Sequence, residues 1–93
     1  MALLVSYDLR TPGADYSGLI EELKKSKGWW HYLKSTWIVS TTETPDELYD
    51  RLEPHRHKDD RILILEIGPG AARQGWLPEK AWGWLERHID SER

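Results

Sequence analysis

The stretch Ala2-Leu-Leu-Val-Ser-Tyr-Asp8 decides the fold of this chain. It is a short, nearly continuous apolar run, which is typical of a central strand that is covered on at least part of both faces. A Thr-Pro-Gly sequence at 11–13 then ends the strand and turns the chain. A helix is predicted over Tyr16–Lys27, with Ser17 as its N-cap and Gly28 as its C-cap.

The later elements complete a regular alternation. They are predicted as strands over 29–33 and 36–41 joined at Lys34-Ser35, a helix from the N-cap Thr44 to Pro54, a strand over 61–67 and a last helix over 77–89. Strand, helix, strand, strand, helix, strand is the split βαβ pattern. The sequence therefore predicts a single α+β domain over 1–93 with a ferredoxin-like βαββαβ fold. Its four-stranded antiparallel sheet has the order 4-1-3-2, and an extra C-terminal helix follows.

The strand over 61–67 indicates a second packed layer. It is apolar at every position from Ile62 to Leu65, so cover is expected on both of its faces. The two crossover helices cover one face only, and the other face requires the last helix or a second subunit. The last helix carries one apolar stripe, formed by Ala81, Trp82, Leu85 and Ile89. Trp84 lies away from that stripe and is expected to meet a partner chain or solvent.

Composition excludes several classes of protein. Thirteen Lys and Arg against sixteen Asp and Glu give a net charge of −3, so the chain is not a polycation that coats nucleic acid by charge alone. The absence of cysteine excludes disulfides, thiolate zinc sites and cysteine nucleophiles. We find no signal peptide and no apolar run near the roughly 20 residues of a membrane span, and expect a cytoplasmic protein without membrane contact.

The predicted topology gathers polar side chains at the edge of the sheet where the first strand ends. They are Asp8, Arg10, Ser35, Thr36, His55, His57, Asp59, Asp60 and Arg61. Asp8 is the candidate catalytic residue and metal ligand, because hard cations such as Mg²⁺ or Mn²⁺ take carboxylate oxygens. The candidate substrate-binding residues are Arg10, Ser35, Thr36, His55, His57 and Arg61. One carboxylate binds magnesium poorly, so such a site requires a second copy or the phosphates of the substrate.

Several of these candidate site residues also have a simpler interpretation. Asp8 is also suited to cap the turn before Thr11-Pro12. His55-Arg-His57-Lys58 is suited to bind phosphate or metal, or to form a solvated loop between a helix and a strand. Lys24, Lys25 and Lys27 similarly suit either a phosphate backbone or a solvated helix end.

Two short motifs carry a resemblance to a known family. Val5-Ser-Tyr-Asp8-Leu and Ser35-Thr-Trp-Ile-Val39 resemble the corresponding strands of the CRISPR-associated (Cas-two-like) adaptation endonucleases. The whole chain resembles a group of small bacterial proteins labelled SinR-like in the same superfamily. The chain departs from the nucleases in its negative charge, its few arginines near the first helix, and a Trp-rich helix in place of a further strand.

The resemblance implies a ferredoxin-like homodimer with a defence-related role. It implies that Asp8 corresponds to the aspartate that holds a divalent metal between subunits. Two functions follow from it. The first is a metal-dependent nuclease acting on RNA or DNA. The alternative is a catalytically inactive dimeric scaffold that binds nucleic acid or a protein partner.

Overall fold

The four strands form one antiparallel sheet in the computed structural model, which describes residues 1–90. The elements are β1 Ala2–Asp8, α1 Ser17–Lys24, β2 Gly28–Leu33, β3 Thr36–Ser40, α2 Pro45–Leu52, a 3₁₀ turn Glu53–His55, β4 Arg61–Ile67, α3 Glu79–Leu85 and a π-helical turn Glu86–Asp90. The sheet order is β2-β3-β1-β4, which confirms the predicted order and the ferredoxin-like fold.

The first face of the sheet packs against α1 and α2. Side chains alternate along a strand, so the odd-numbered positions of β1 point to this face. The buried core here consists of Leu3, Val5, Leu19, Leu23, Trp37, Val39, Leu48 and Leu52. Ile62 and Ile64 of β4 pack against it from the side. This layer is the hydrophobic core that the strand and helix periodicities predict.

Both crossover helices are fixed by local hydrogen bonds. Thr44 and Glu47 form the predicted capping box at the start of α2, with the Glu47 amide donating to Thr44 Oγ1 at 3.2 Å. Helix α1 is shorter than predicted, because Lys25 is already its C-cap. The predicted cap Ser17 donates its own amide to Asp15 Oδ1 at 2.9 Å, so Asp15 satisfies that end of the helix.

The second face of the sheet is covered by α3 over only part of its area. Its buried cluster is Ala2, Trp30, Ile38, Ala81, Leu85 and Ile89. Trp30 Nε1 donates to the Ala81 carbonyl at 3.2 Å, which ties α3 to β2 within the same chain. Leu63 and Leu65 lie on this face but stay 59% and 56% exposed. The last helix therefore does not cover this part of the second face, and the predicted cover by a second subunit stays a prediction.

Packing at the end of α3 shows that the predictions for Trp84 and for Gly28 are wrong. Trp84 is half-buried rather than directed at solvent or a partner, because its ring stacks on His88 at 4.0 Å beside the start of β2. Gly28 begins β2 and does not cap α1. A Cβ at Gly28 would lie 3.6 Å from Trp84 Cζ2 and 3.3 Å from His88 Nε2. The glycine thus allows the close approach of the last helix to β2.

The β2–β3 hairpin positions Lys34 and Ser35 at the end of the sheet. Leu33 pairs with Thr36, which leaves these two residues as the turn. No residue other than glycine has a positive φ within residues 1–90, so the turn is not of the usual primed type. A register shift between Trp30 and Leu33 accommodates it instead.

Docking of α3 on the sheet gives a direct prediction. Leu85 is buried beneath this helix, so Leu85→Ala should lower the free energy of unfolding by about 2–4 kcal/mol. The control is Trp76→Ala, because Trp76 precedes the same helix but is 88% exposed, and its loss should cost less than about 0.5 kcal/mol. Urea denaturation followed by circular dichroism measures both. Equal effects would mean that α3 is not docked as described.

Candidate functional site

Antiparallel pairing brings four of the predicted site residues to one end of the sheet. Asp8 lies opposite Arg61 across β1 and β4, and Ser6 lies opposite Thr36 across β1 and β3. The Tyr7 amide donates to the Ser35 carbonyl at 3.0 Å, which fixes the hairpin turn beside Asp8. We call this end of the sheet, formed by Asp8, Arg10, Lys34, Ser35, Thr36 and Arg61, the rim.

Asp8 is the exposed carboxylate at the centre of the rim. Its side chain is 61% exposed, and its Oδ2 lies 2.9 Å from Arg10 Nε. Two shallow cavities meet at Asp8. One of about 260 Å³ is also lined by Ser6, Arg61 and Leu63, and one of about 340 Å³ is also lined by Leu9, Lys34 and Ser35. The rim therefore presents Arg10, Lys34 and Arg61 around a single exposed carboxylate.

Asp60 caps the turn after β1, a role that one interpretation of the sequence gave to Asp8. It is buried, and its Oδ1 accepts hydrogen bonds from the Arg10 amide at 2.6 Å and the Tyr16 hydroxyl at 2.8 Å. Its Oδ2 accepts from the His57 amide at 2.9 Å. The turn after β1 is thus held to the loop before β4 by one carboxylate. Asp8 is left without a part in that turn.

The Asp60 carboxyl is held in its ionised form. Burial raises its pKa, but hydrogen bonds from two backbone amides and the Tyr16 hydroxyl lower the pKa by more, so it lies below the ordinary aspartate value. A carboxylate that accepts this many hydrogen bonds is stabilised as the anion. Asp60 is therefore a structural anion under the rim.

The two histidines of the loop do not line the cavities beside Asp8. His55 lies against α1, with its Nε2 3.9 Å from Glu22 Oε2. His57 is exposed and its ring packs edge-on against Tyr16, with 5.2 Å between the centroids. The Arg56 guanidinium donates to three carbonyls of the loop, including that of Asp60 at 3.1 Å. The loop is thus an ordered connection that supports the rim from behind.

The assignment of Asp8 as a metal ligand stays a prediction. Asp8 supplies one exposed carboxylate, but Arg10 already pairs with it. Within residues 1–90, no three His, Asp or Glu side chains come together as a group that could hold a metal ion. A Mg²⁺ or Mn²⁺ ion at Asp8 would need its other ligands from a second copy or from substrate phosphates.

Lys34 is a rim residue that the sequence interpretation omitted. It was placed in the hairpin turn next to Ser35, and the antiparallel order already set that turn beside the end of β1. The position of Lys34 next to Ser35 in the sequence was therefore the signal that could have identified it as a rim residue. Lys34 adds a third cation to the side chains around Asp8.

Comparison with protein-family models, with curated proteins and with solved structures found no match to this chain. In the part of the chain that the structure describes, no helix has both the length and the apolar character needed to cross a bilayer.

The ionised state of Asp60 predicts a defined pH dependence of stability. Because its folded-state pKa is lowered, its stabilisation is present above the ordinary value of about 3.9 and is lost as the pH falls through the lower folded-state value. Asp60→Asn should lower the free energy of unfolding at neutral pH and make its decline below about pH 4 shallower. Denaturation at a series of pH values measures this.

The matched control for this change is Asp59→Asn, at the exposed neighbouring position. It should keep the stability and the slope of the unmodified chain. Part of the acid slope should persist in all variants, because hydrogen bonds from Lys25 and from Arg51 lower the pKa values of Glu22 and Glu43 respectively. Identical slopes for the Asp60 and Asp59 variants would contradict the assignment.

Proposed function

We propose that this protein is a homodimeric scaffold that binds nucleic acid at the rim. The observation that supports this best is the set of exposed cations, Arg10, Lys34 and Arg61, around two cavities that share Asp8. Guanidinium and ammonium groups that converge on one surface are suited to phosphate oxygens. Because the whole chain has a net charge of −3, attraction to a polyanion has to come from such a local cluster.

The ion pair between Asp8 and Arg10 favours binding over cleavage. It gives the carboxylate a partner, and Asp8 belongs to no group of three or more His, Asp or Glu side chains among the described residues. Arg10 would have to release Asp8 before a cation could bind there. A scaffold that contacts phosphate needs no such exchange, since Arg61 and Lys34 are exposed and make no ion pair within residues 1–90.

A second copy of the chain is the proposed occupant of the open part of the second sheet face. This part carries Leu63 and Leu65, with half-buried Leu4 beside them on β1. Exposed leucines adjoining one another on a flat sheet are typical of a protein interface. Leu63 also lines the cavity at Asp8 and Arg61, so a partner packed on this patch would lie beside the rim and form part of the wall of that cavity.

The second candidate function is a nuclease that depends on a divalent metal. The observation that favours it is the exposure of Asp8, which holds neither the turn nor the core and contacts Arg10 in an ion pair that a divalent cation would have to displace. A second Asp8 would have to come from the partner subunit. This candidate also agrees with the role that the family resemblance implies for Asp8.

A binding and cleavage assay separates the two functions. The scaffold should bind a labelled oligonucleotide in the presence of EDTA, and Arg10→Ala with Arg61→Ala should reduce the dependence of log affinity on log salt by about 2. Asp8→Ala should bind at least as tightly as the unmodified chain, since it removes a negative charge. No cleavage is expected with Mg²⁺ or Mn²⁺.

The nuclease is established instead if cleavage requires the cation, is lost in Asp8→Ala, and persists in Asp50→Ala. Asp50 is the control because it is an exposed aspartate on α2, away from the rim. Failure of the unmodified chain to bind any oligonucleotide would contradict both functions.

A charged residue introduced on the exposed face of β4 tests the proposed dimer. Leu65→Lys should convert a dimer to a monomer in sedimentation at about 50 μM protein, with an unchanged circular dichroism spectrum, because its side chain is mostly exposed within one chain. Glu66→Lys is the control, since Glu66 is exposed on the same strand but lies on the other face. A monomeric unmodified chain at that concentration would overturn the proposed interface.

A further inference from the structure

One segment of this acidic chain has the opposite charge. Residues 23–42 contain no Asp or Glu, although the chain has sixteen of them, and contain the four lysines Lys24, Lys25, Lys27 and Lys34. The same segment holds three of the six tryptophans of the chain. Aromatic residues are thus concentrated on β2, the edge strand farthest from β4, and the lysines lie in the segments on either side of it.

The lysines of this edge are exposed and available. Lys25 forms an ion pair with Glu22 at 2.8 Å, whereas Lys24, Lys27 and Lys34 have no carboxylate partner within residues 1–90. Lys24 Nζ instead lies 5.1 Å from the centroid of the Trp29 ring. A base that stacks on this side of the Trp29 ring would displace Lys24 from it, and the displaced ammonium group would lie next to the phosphates of that base.

The aromatic rings of this edge form a supported platform. Trp29 is 41% exposed, and its ring packs against buried Trp37 with 5.5 Å between the centroids. His31 stacks on Trp37 at 3.8 Å, nearly parallel to it. Trp37 is itself fixed, because its Nε1 donates to the Tyr7 hydroxyl at 2.9 Å. The exposed Trp29 ring therefore packs on a buried, hydrogen-bonded Trp37 side chain.

This platform is continuous with the rim. We call Lys24, Lys27, Trp29, His31 and Lys34 the β2 strip. His31 Nε2 lies 3.1 Å from the Lys34 carbonyl oxygen, so the last ring of the strip is joined to the hairpin turn. Lys34 lines the same cavity as Asp8 and Ser35. The strip thus ends at the cavity on which the proposed function depends.

We infer that the β2 strip binds a single-stranded nucleic acid, with a base on Trp29 and the phosphates on Lys24, Lys27 and Lys34, and leads the strand to the rim. Stacking on an exposed ring requires an unpaired base, which a duplex does not offer. Three lysines without a carboxylate partner, at the end of α1 and on either side of β2, supply the charge complementary to a sugar–phosphate backbone. This inference rests on the proposed function and extends it, since it names the class of nucleic acid and its path.

The simpler account of the strip is protection of an edge strand. Lysines on an exposed edge prevent two sheets from pairing, and this role requires no ligand. It explains the lysines that flank β2. It does not explain why a large aromatic ring is left exposed among them on a rigid support.

The test is fluorescence anisotropy with labelled oligothymidine and oligouridine of about ten nucleotides, in EDTA. Trp29→Ala should weaken binding at least about fivefold, and Trp29→Phe should retain most of it, because the phenyl ring still stacks. Lys24→Ala with Lys27→Ala, which leaves every rim residue in place, should reduce the slope of log affinity against log salt by about 1.4. A duplex of the same length should bind more weakly, and the DNA and RNA probes show which sugar is preferred.

Matched controls stand outside the strip. Trp76→Ala removes a more exposed tryptophan, and Lys58→Ala with Lys80→Ala removes two exposed lysines from other elements. Neither should change the affinity or the slope. Circular dichroism should show that all variants are folded.

The outcomes separate this inference from the proposed function. If Arg10→Ala with Arg61→Ala weakens binding but no strip variant does, the strip only protects the edge strand from pairing. The rim then still binds nucleic acid. If the lysine variants matter but Trp29→Ala does not, base stacking on the strip is wrong and the inference is overturned. If the unmodified chain binds neither probe, both proposals fall together.

Discussion

The register of β1 between β3 and β4 is the constraint on which the rest of this structure depends. It places Asp8 opposite Arg61 and Ser6 opposite Thr36, and it sends the odd positions of β1 into the core beneath α1 and α2. A shift of one residue would reverse the two faces of the strand. The same shift would turn Asp8 toward the face that packs against α1 and α2, and away from its position opposite Arg61. The pairing of β1 with β3 and β4 thus determines both where the rim lies and which side chains are buried in the core.

The rim is supported by groups that do not themselves face a ligand. Asp60 holds the turn after β1 to the loop before β4, and the Arg56 guanidinium binds the carbonyls of that loop. This arrangement leaves Asp8, Arg10 and Arg61 exposed on a fixed backbone. At the far edge of the sheet, buried Trp37 supports Trp29 in the same way. A rigid support beneath exposed charged and aromatic side chains is the feature common to the rim and the β2 strip.

The fold was largely predictable because each element carries its own local signal. The nearly continuous apolar runs of β1 and β4 and the N-cap Thr44 of α2 indicated where these elements lie, and the order of the elements then indicated the order of the strands in the sheet. The site was predictable only to the level of which strand ends meet. That Asp60 rather than Asp8 caps the turn depends on a contact between residues 50 positions apart. The half-burial of Trp84 likewise depends on its packing beside Gly28, which helix periodicity does not encode.

Amide and indole chemical shifts measured during a titration with single-stranded oligonucleotide test the central claim most directly. The six tryptophans give six indole signals that report different places in the fold. Without divalent cation, the account predicts shifts in the Trp29 indole and in the amides of residues 24–35 and of Asp8 and Arg10. The Trp76 indole and the amides of α2 should not move. Shifts confined to α2 or to Trp76, or no shifts at saturating oligonucleotide, would contradict the account.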